Sequence, residues 1–260
     1  AMDRDTLLGV HASGYVGQQT VATVAGRIDA DRVNAFLDER LSPLSTGHPG
    51  SLTPLPARGL PSCIEIDDIE QAHLAIGFHA GSRHDESRYI LKLLNVILGE
   101  NMSSLLFQKL REKEAVCYNV QSDVMTFDDT GLLHIYSAVD PKNVDRSLTL
   151  ITETLRELVE RPLEANVIED AKSYVIGQSR IGLENTSSQM IWAGESLLAY
   201  NKVNDPELSH QRIAAVTADE MRDLAEMLFQ PDNLVLAAVT PKSCADSLEQ
   251  WRGEFAGGAC

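Results

Sequence analysis

The sequence has few cysteines, a shortage of basic residues and no long apolar run, and each shortage excludes a class of protein. Four cysteines stand at positions 63, 117, 244 and 260 without any C-x-x-C pair, so their spacing indicates neither a zinc knuckle nor a disulfide scaffold. We expect free thiols. No stretch approaches the roughly 20 apolar residues of a membrane span, and no charged-then-apolar leader opens the chain. A soluble protein is expected, with bacterial cytoplasm and periplasm both left open.

The charge balance is strongly acidic. Lysine and arginine together number 22, aspartate and glutamate number 38, and the formal net charge is −16. Such a surface repels a phosphate backbone, which argues against nucleic acid as a partner. A basic peptide is compatible with this charge, although an acidic excess is also common on proteins that are merely soluble.

Common catalytic motifs are also missing. The chain contains no G-x-S-x-G, no P-loop and no G-x-G-x-x-G. The sequence therefore does not support a hydrolase with a nucleophile elbow, a nucleotide-binding protein or a dinucleotide-binding protein. His73 and His79 share one face of a predicted strand, but they are six residues and therefore roughly 20 Å apart. They cannot bind the same metal ion. A loop cluster of His79, His84, Asp85 and Glu86 is the remaining candidate for a cation, and exposed loop residues of this kind usually contact only water.

The residues that are present predict an α+β fold, with helices packed on a largely antiparallel sheet. Apolar alternation predicts strands at 73–79, 132–139 and 234–239, and a strand at 117–127 forms a hairpin with the second of these. Helical spacing of apolar residues predicts helices near 90–97, 142–158, 164–175, 190–200, 207–216 and 217–228. Strands and helices thus alternate irregularly along the chain.

The first 61 residues have a different character. An apolar run from Gln19 to Ile28 predicts a buried strand, and Asp29 offers an N-cap for a helix that ends near Leu41. Residues 42–61 contain five prolines and three glycines, which is typical of a linker. Residues 19–26 can be laid on residues 233–240 with an offset of 214. If that match is a true repeat, residues 1–41 are the closing elements of an earlier copy.

The stretch from Leu98 to Val120, LGENMSSLLFQKLREKEAVCYNV, is the most informative in the chain. It contains Met102-Ser103-Ser104, then Leu110-Arg111-Glu112-Lys113, then Tyr118. This order resembles the metal-free half of the insulinase/pitrilysin-type zinc metallopeptidases, a family that includes the mitochondrial processing peptidases. In that family an arginine and a tyrosine seven residues apart bind substrate backbone, so the resemblance implies that Arg111 and Tyr118 bind the substrate.

The resemblance also implies a domain organisation. Family members consist of two similar halves that are joined by a linker and close around a peptide. Residues 1–41 then correspond to the closing strand and helix of a first half, 42–61 to the linker and 62–242 to a whole second half. Residues 243–260 are interpreted as a C-terminal tail.

The metal-binding residues of the family are absent. The zinc-bearing half carries an inverted H-x-x-E-H on a helix, and this chain contains no such string. The corresponding helix, near 86–98, has Tyr89, Lys92 and Leu93, and the downstream glutamate ligand falls near Gln178. We therefore expect no catalytic residue and no metal in this chain. Zinc is expected on a zinc-bearing half, in the same gene product or on a partner subunit.

Two alternatives remain open from the residues themselves. Arg111 is an ordinary cation for the last turn of a helix, and Tyr118 is an ordinary core aromatic. The loop also departs from the family, because Glu100-Asn101 and Leu105 replace a glycine-rich turn and an arginine, and residues 114–116 replace a stretch that often contains glycine. A scaffold or assembly subunit without peptidase function is thus the second hypothesis, and a dimer is left open.

Overall fold

The computed structural model describes residues 2–44, 46–47 and 62–258. Most of the predicted linker, at 45 and 48–61, lies outside these described residues. The chain divides into two compact units, one of Ala1–Leu55 with Gly177–Leu208 and one of Pro56–Ile176 with Ser209–Cys260. We call them the N-terminal unit and the sheet unit. No helix within the described ranges combines the length and apolar character that crossing a membrane requires.

The described residues form helices and strands in an irregular order. The helices are α1 (Arg4–Gly14), α2 (Ala30–Leu41), α3 (Ser87–Asn95), α4 (Val144–Glu160), α5 (Ala165–Leu183), α6 (Thr186–Tyr200), α7 (Pro206–Ala215), α8 (Ala218–Leu228) and α9 (Lys242–Gly257). The strands are β1 (Cys63–Ile66), β2 (Ala72–Ala80), β3 (Cys117–Thr126), β4 (Gly131–Val139) and β5 (Leu234–Thr240). Two π-helical segments, Val96–Glu100 and Phe107–Lys113, lie between α3 and β3.

The five strands form one mixed sheet in the order β1-β5-β2-β4-β3. Every neighbouring pair is antiparallel except β1 with β5, which is parallel. The predicted α+β fold with a largely antiparallel sheet is therefore confirmed. Strand β1 was not among the predicted elements. Strand β3 lies at one edge of the sheet, and in the described structure it pairs only with β4.

The helices of the sheet unit cover one face of the sheet. Leu74, Ile76 and Phe78 of β2 are almost fully buried on that face, while His73 on the other face is exposed. Phe78 meets Phe229 edge-on, with ring centres 5.1 Å apart. Each fully buried side chain of this size contributes about 1.5–3 kcal/mol, so this alternation fixes which face of β2 points inward.

Helix α8 begins with the predicted capping box. The Thr217 side chain accepts a hydrogen bond from the Glu220 backbone N–H, and the Glu220 carboxylate accepts one from the Thr217 backbone N–H. The hydrogen bonds that Glu220 accepts from the Thr217 backbone and hydroxyl lower the pKa of its carboxyl. The C-terminal residues 242–257 form α9, whose Leu248, Trp251 and Phe255 are buried in the core.

The N-terminal unit has almost no core of its own. Helices α1 and α2 contain no buried residue. Residues 20–25, inside the predicted strand 19–28, form no helix or strand and pair with no strand among the described residues. An unpaired strand is not stable alone in water, which explains why the apolar pattern does not produce a strand in this unit.

Candidate functional site

The candidate site is built on the second π-helical segment. Phe107–Lys113 is anchored by Leu110, which is fully buried. The Glu114 N–H donates to the Lys109 carbonyl at 3.1 Å, and the Val116 N–H donates to the Leu110 carbonyl at 2.9 Å. The five-residue spacing of the first bond is that of a π-helix, and π-bulges are frequent at functional sites. The burial of Leu110 leaves its neighbour Arg111 on the exposed side.

A strained turn then leads into β3. Ala115 has φ of 50°, one of two described residues other than glycine with positive φ, and this left-handed conformation costs a residue with a side chain roughly 1–2 kcal/mol. A β-bulge follows directly. Cys117 pairs with Val139 and Asn119 pairs with Ala138, so Tyr118 is the extra residue without a partner of its own. Bulges of this kind redirect a side chain, and this one places the Tyr118 ring beside Arg111.

The structure brings the two predicted residues together and adds a third. The Arg111 guanidinium carbon lies 5.4 Å from the centre of the Tyr118 ring and 4.9 Å from the centre of the Phe107 ring. Each such cation–π contact contributes about 0.5–1 kcal/mol at an exposed site. We call Arg111, Phe107 and Tyr118 the aromatic clamp. Phe107 was not predicted, although its position four residues before Arg111 is the spacing of helical neighbours.

The polar groups of the aromatic clamp are available to a ligand. Tyr118 is 76% exposed, so its interpretation as a core aromatic is wrong. Within the described residues its hydroxyl has no hydrogen-bond partner, and Arg111 forms no ion pair. A guanidinium in this state offers several N–H donors to carbonyl or carboxylate oxygens, and a phenol offers one O–H donor.

Neighbouring charges are paired instead with acidic side chains. Lys109 contacts Glu153 at 3.4 Å and Glu157 at 3.2 Å on α4, and Arg146 contacts Glu114 at 2.9 Å. These pairs fix the segment against α4 without using Arg111. They leave Arg111 as a cation held by aromatic rings rather than by carboxylates.

Cys117 lies between the turn and the bulge. Burial raises the pKa of its thiol, while a hydrogen bond involving the Ser137 side chain and the charge of Arg111 act in the opposite direction. The net shift is upward, so this thiol stays protonated at neutral pH and is a poor nucleophile.

The loop before the aromatic clamp is tied down by its own polar groups. The Asn101 side chain accepts from the Ser103 N–H at 2.8 Å, and the Gln108 amide donates to the Met102 carbonyl at 2.7 Å. The loop lines a cavity of about 460 Å³. These bonds give the loop a fixed shape where a glycine-rich turn would be pliable.

The helix that the resemblance aligns with the family's zinc-binding helix carries side chains with other contacts. Within α3, Leu93 is buried in the core, and Lys92 pairs with Glu100 at 2.7 Å. In the loop cluster considered for a cation, His84 contacts Asp128 at 3.3 Å. Across the described ranges no three His, Cys, Asp or Glu side chains lie close enough to hold a metal ion. Leu93 stands where the second histidine of H-x-x-E-H would bind zinc, and Lys92 stands where the glutamate would activate water, so α3 does not fit a catalytic zinc.

Comparison with known proteins identifies the family. The family model described as the peptidase M16 inactive domain matches residues 1–175 of the chain. The chain belongs to the peptidase M16 inactive-domain family. An uncharacterized zinc protease of Mycobacterium leprae is 31% identical over 234 residues, which cover 88% of the chain and 53% of that protein. One of Bacillus subtilis is 32% identical over 174 residues, which cover 67% of the chain and 42% of that protein.

Solved structures have the same fold. A peptidase M16 inactive domain from Pseudomonas fluorescens has a TM-score of 0.82 at 18% identity, over 93% of this chain and 58% of that one. A protease from Helicobacter pylori has a TM-score of 0.79 at 16% identity, over 92% of this chain and 59% of that one. The chain spans about half the length of the curated relatives that it matches over most of its own length.

Proposed function

We propose that this M16 inactive domain is the substrate-binding, non-catalytic half of a zinc-dependent peptidase. It holds an extended peptide while a zinc-bearing half, in the same gene product or on a partner chain, hydrolyses the bond. The observation that carries the proposal is the exposure of the Arg111 guanidinium and its contacts with aromatic rings. Its guanidinium lies beside the two rings of the aromatic clamp, is exposed, and has no carboxylate partner among the described residues.

The clamp supplies donors that suit peptide main chain. A guanidinium restrained by two rings loses less conformational entropy on binding than a free arginine side chain. Arg111 donates to carbonyl oxygens of the peptide, and the Tyr118 hydroxyl donates to a further one. Strand β3 begins at this point and is the edge of the sheet, so an extended peptide can add beside it through backbone hydrogen bonds. Recognition of this type depends little on peptide sequence.

The chain's own residues take no part in water activation in this proposal. Zinc chemistry requires ligands such as His and Glu with an open position for water. Helix α3 has Tyr89 and Leu93 where the family's two zinc-binding histidines would stand, and Lys92 where its water-activating glutamate would stand. The net charge of −16 favours a peptide with basic residues over an acidic one.

The division of labour is tested by reconstitution. The purified full chain is assayed for zinc by mass spectrometry and for hydrolysis of unstructured peptides, alone and after mixing with the chain from the same source that carries H-x-x-E-H. We expect no stoichiometric zinc and no hydrolysis alone, and hydrolysis after mixing. Stoichiometric zinc with hydrolysis by the pure chain would overturn the proposal.

A further inference from the structure

The cavity beside the loop 101–105 has the size and the lining of a small-molecule site. Its volume is about 460 Å³, and sites for small ligands have volumes of about 300–1,000 Å³. All of its lining residues belong to the sheet unit. Most of its wall is apolar, and this part comes from Val96, Ile97, Met102, Leu105, Val167 and Ala171. Such a wall favours a ligand with an apolar body.

The wall is already formed in the free chain. Val96 and Ile97 are 3% and 5% exposed and Ala171 is 4% exposed, so the core holds them in place. On the other side, the Asn101 side chain accepts a hydrogen bond from the loop backbone, and the Met102 carbonyl accepts one from a glutamine amide. A wall with a fixed shape loses little conformational entropy when a ligand binds.

Three polar groups on the wall are available to a ligand. Asp170 and Tyr174 are four residues apart on α5, so they are neighbours on one face of that helix. Among the described residues, the Asp170 carboxylate, the Tyr174 hydroxyl and the Asn101 NH₂ group form no hydrogen bond or ion pair. Asp170 is also the one charged residue in the lining that the structure describes. An uncompensated carboxylate beside an apolar wall favours a cation.

The cavity is separate from the aromatic clamp. Leu105 lines the cavity, whereas Phe107 and Arg111 belong to the clamp. Positions two residues apart on a helix differ by about 200° around its axis, so the cavity and the clamp lie on nearly opposite flanks of this part of the chain. Binding in the cavity therefore does not rest on the proposed function.

We propose that this cavity binds a small primary amine with an aromatic or branched apolar body. The ammonium group of the ligand donates to the carboxylate of Asp170, which is exposed and lies at the open end of the cavity. The apolar body packs between the loop and α5. Tyr174 and Asn101 donate hydrogen bonds to a polar substituent of the ligand.

Three indole derivatives of similar size test the choice of ligand. Tryptamine is a cation at neutral pH, tryptophol is uncharged and indolepropionate is an anion. Each is titrated into the full chain, and the backbone amide shifts are followed by NMR. We expect tryptamine to bind with a dissociation constant of about 1–3 mM, as a ligand of about 12 non-hydrogen atoms does. Tryptophol should bind about 2- to 5-fold more weakly, because it lacks the exposed ion pair, and indolepropionate more weakly still.

Two neighbouring acidic residues of α5 provide matched variants. Asp170→Asn and Glu169→Gln each remove one negative charge from an exposed position, but Glu169 pairs with Lys172 at 2.8 Å and does not line the cavity. Asp170→Asn should bind tryptamine as weakly as tryptophol, while Glu169→Gln binds it as the parent does. Val167→Phe fills part of the cavity and should weaken binding of all three probes, with its unfolding temperature as the check on folding.

The location of the shifts decides whether the cavity is the site. Tryptamine should shift mainly the amides of residues 96–105 and 167–174. Shifts confined to other residues, or equal affinities of the parent for tryptamine and indolepropionate, would overturn the proposal. Shifts of the same amides by an extended peptide, without any by tryptamine, would assign the cavity to the substrate and overturn the choice of ligand. Arg111→Ala should bind tryptamine as the parent does, so failure of the peptide clamp is distinguishable from failure of this inference.

Discussion

The guanidinium carbon of Arg111 lies 5.4 Å from the centre of the Tyr118 ring, although Arg111 is in the last turn of a helical segment and Tyr118 is the second residue of a strand. The backbone between the two residues makes this contact possible, because Ala115 takes a left-handed conformation and Tyr118 occupies a bulge. The contact is therefore a property of backbone geometry as much as of the two side chains. Changes to that backbone should alter stability and the clamp together.

Ala115→Gly should stabilise the chain. Glycine adopts positive φ without the steric cost that alanine pays, and this gain exceeds the extra entropy of the unfolded glycine. We expect an increase of about 0.5–1 kcal/mol in the free energy of unfolding, measured by urea titration. The control is Ala214→Gly in α7, which should lose about 1 kcal/mol. A loss at Ala115 of the same size as at Ala214 would show that the turn is not strained.

Gly99→Ala should be strongly destabilising. A Cβ on Gly99 would lie 2.6 Å from the Ser122 backbone nitrogen of β3, which cannot move away without disturbing the sheet. We expect a loss of about 1–3 kcal/mol, as in overpacked cores. Gly253→Ala in α9 is the control, because its Cβ would meet nothing within 4 Å and should add about 0.5–1 kcal/mol. Urea titration of both variants decides, and a neutral Gly99→Ala would contradict this packing.

The Cys117 thiol should react slowly with iodoacetamide. Its pKa is raised by burial and held back by the charge of Arg111, so less thiolate is present at a given pH than for an ordinary cysteine. In Arg111→Ala the opposing charge is gone, and the midpoint of the rate against pH should move to higher pH. Peptide mass spectrometry separates Cys117 from the exposed Cys63. A midpoint that moves to lower pH would contradict the assigned proximity.

Much of this fold could be predicted from the sequence because burial repeats with the period of each element. The alternation through Leu74, Ile76 and Phe78 predicts β2, and the spacing from Thr217 to Glu220 predicts the start of α8. Strand β1 has only four residues and pairs with β5, which is about 170 positions away in the chain. So short a strand has too few alternations to be recognised without its partner.

The site could be predicted only in part, because some of its contacts are determined by the folded backbone and not by the spacing of residues in the sequence. The spacing of Arg111 and Tyr118 carries the family resemblance, and the structure places their side chains in contact. The role of Phe107 depends on the guanidinium carbon lying 4.9 Å from its ring, and an aromatic residue in a helix usually packs into a core. The apolar run 19–28 shows a second limit of prediction from the sequence. Its pattern indicates a strand, but a strand forms only beside a neighbouring strand, and the pattern does not show whether one is present.

Tyr118→Phe should separate the hydroxyl from the ring. The variant keeps the ring beside Arg111 but removes the donor for a peptide carbonyl, so peptide binding by the reassembled enzyme should weaken about 2- to 10-fold. Tyr89→Phe, whose hydroxyl accepts from Arg88 on α3, is the control and should bind peptide as the parent does. Unchanged binding by Tyr118→Phe would limit the role of Tyr118 to its contact with Arg111.

The central claim is that Arg111 holds the peptide, and the dissociation constant of an extended peptide for the reassembled enzyme tests it most directly. Lys113→Ala is the matched control, because Lys113 is an exposed cation in the same last turn. We predict that Arg111→Ala weakens binding about 10- to 100-fold, the range for hydrogen bonds to a charged group, while Lys113→Ala changes it little. Equal dissociation constants for Arg111→Ala and the parent would contradict the clamp and favour a scaffold subunit.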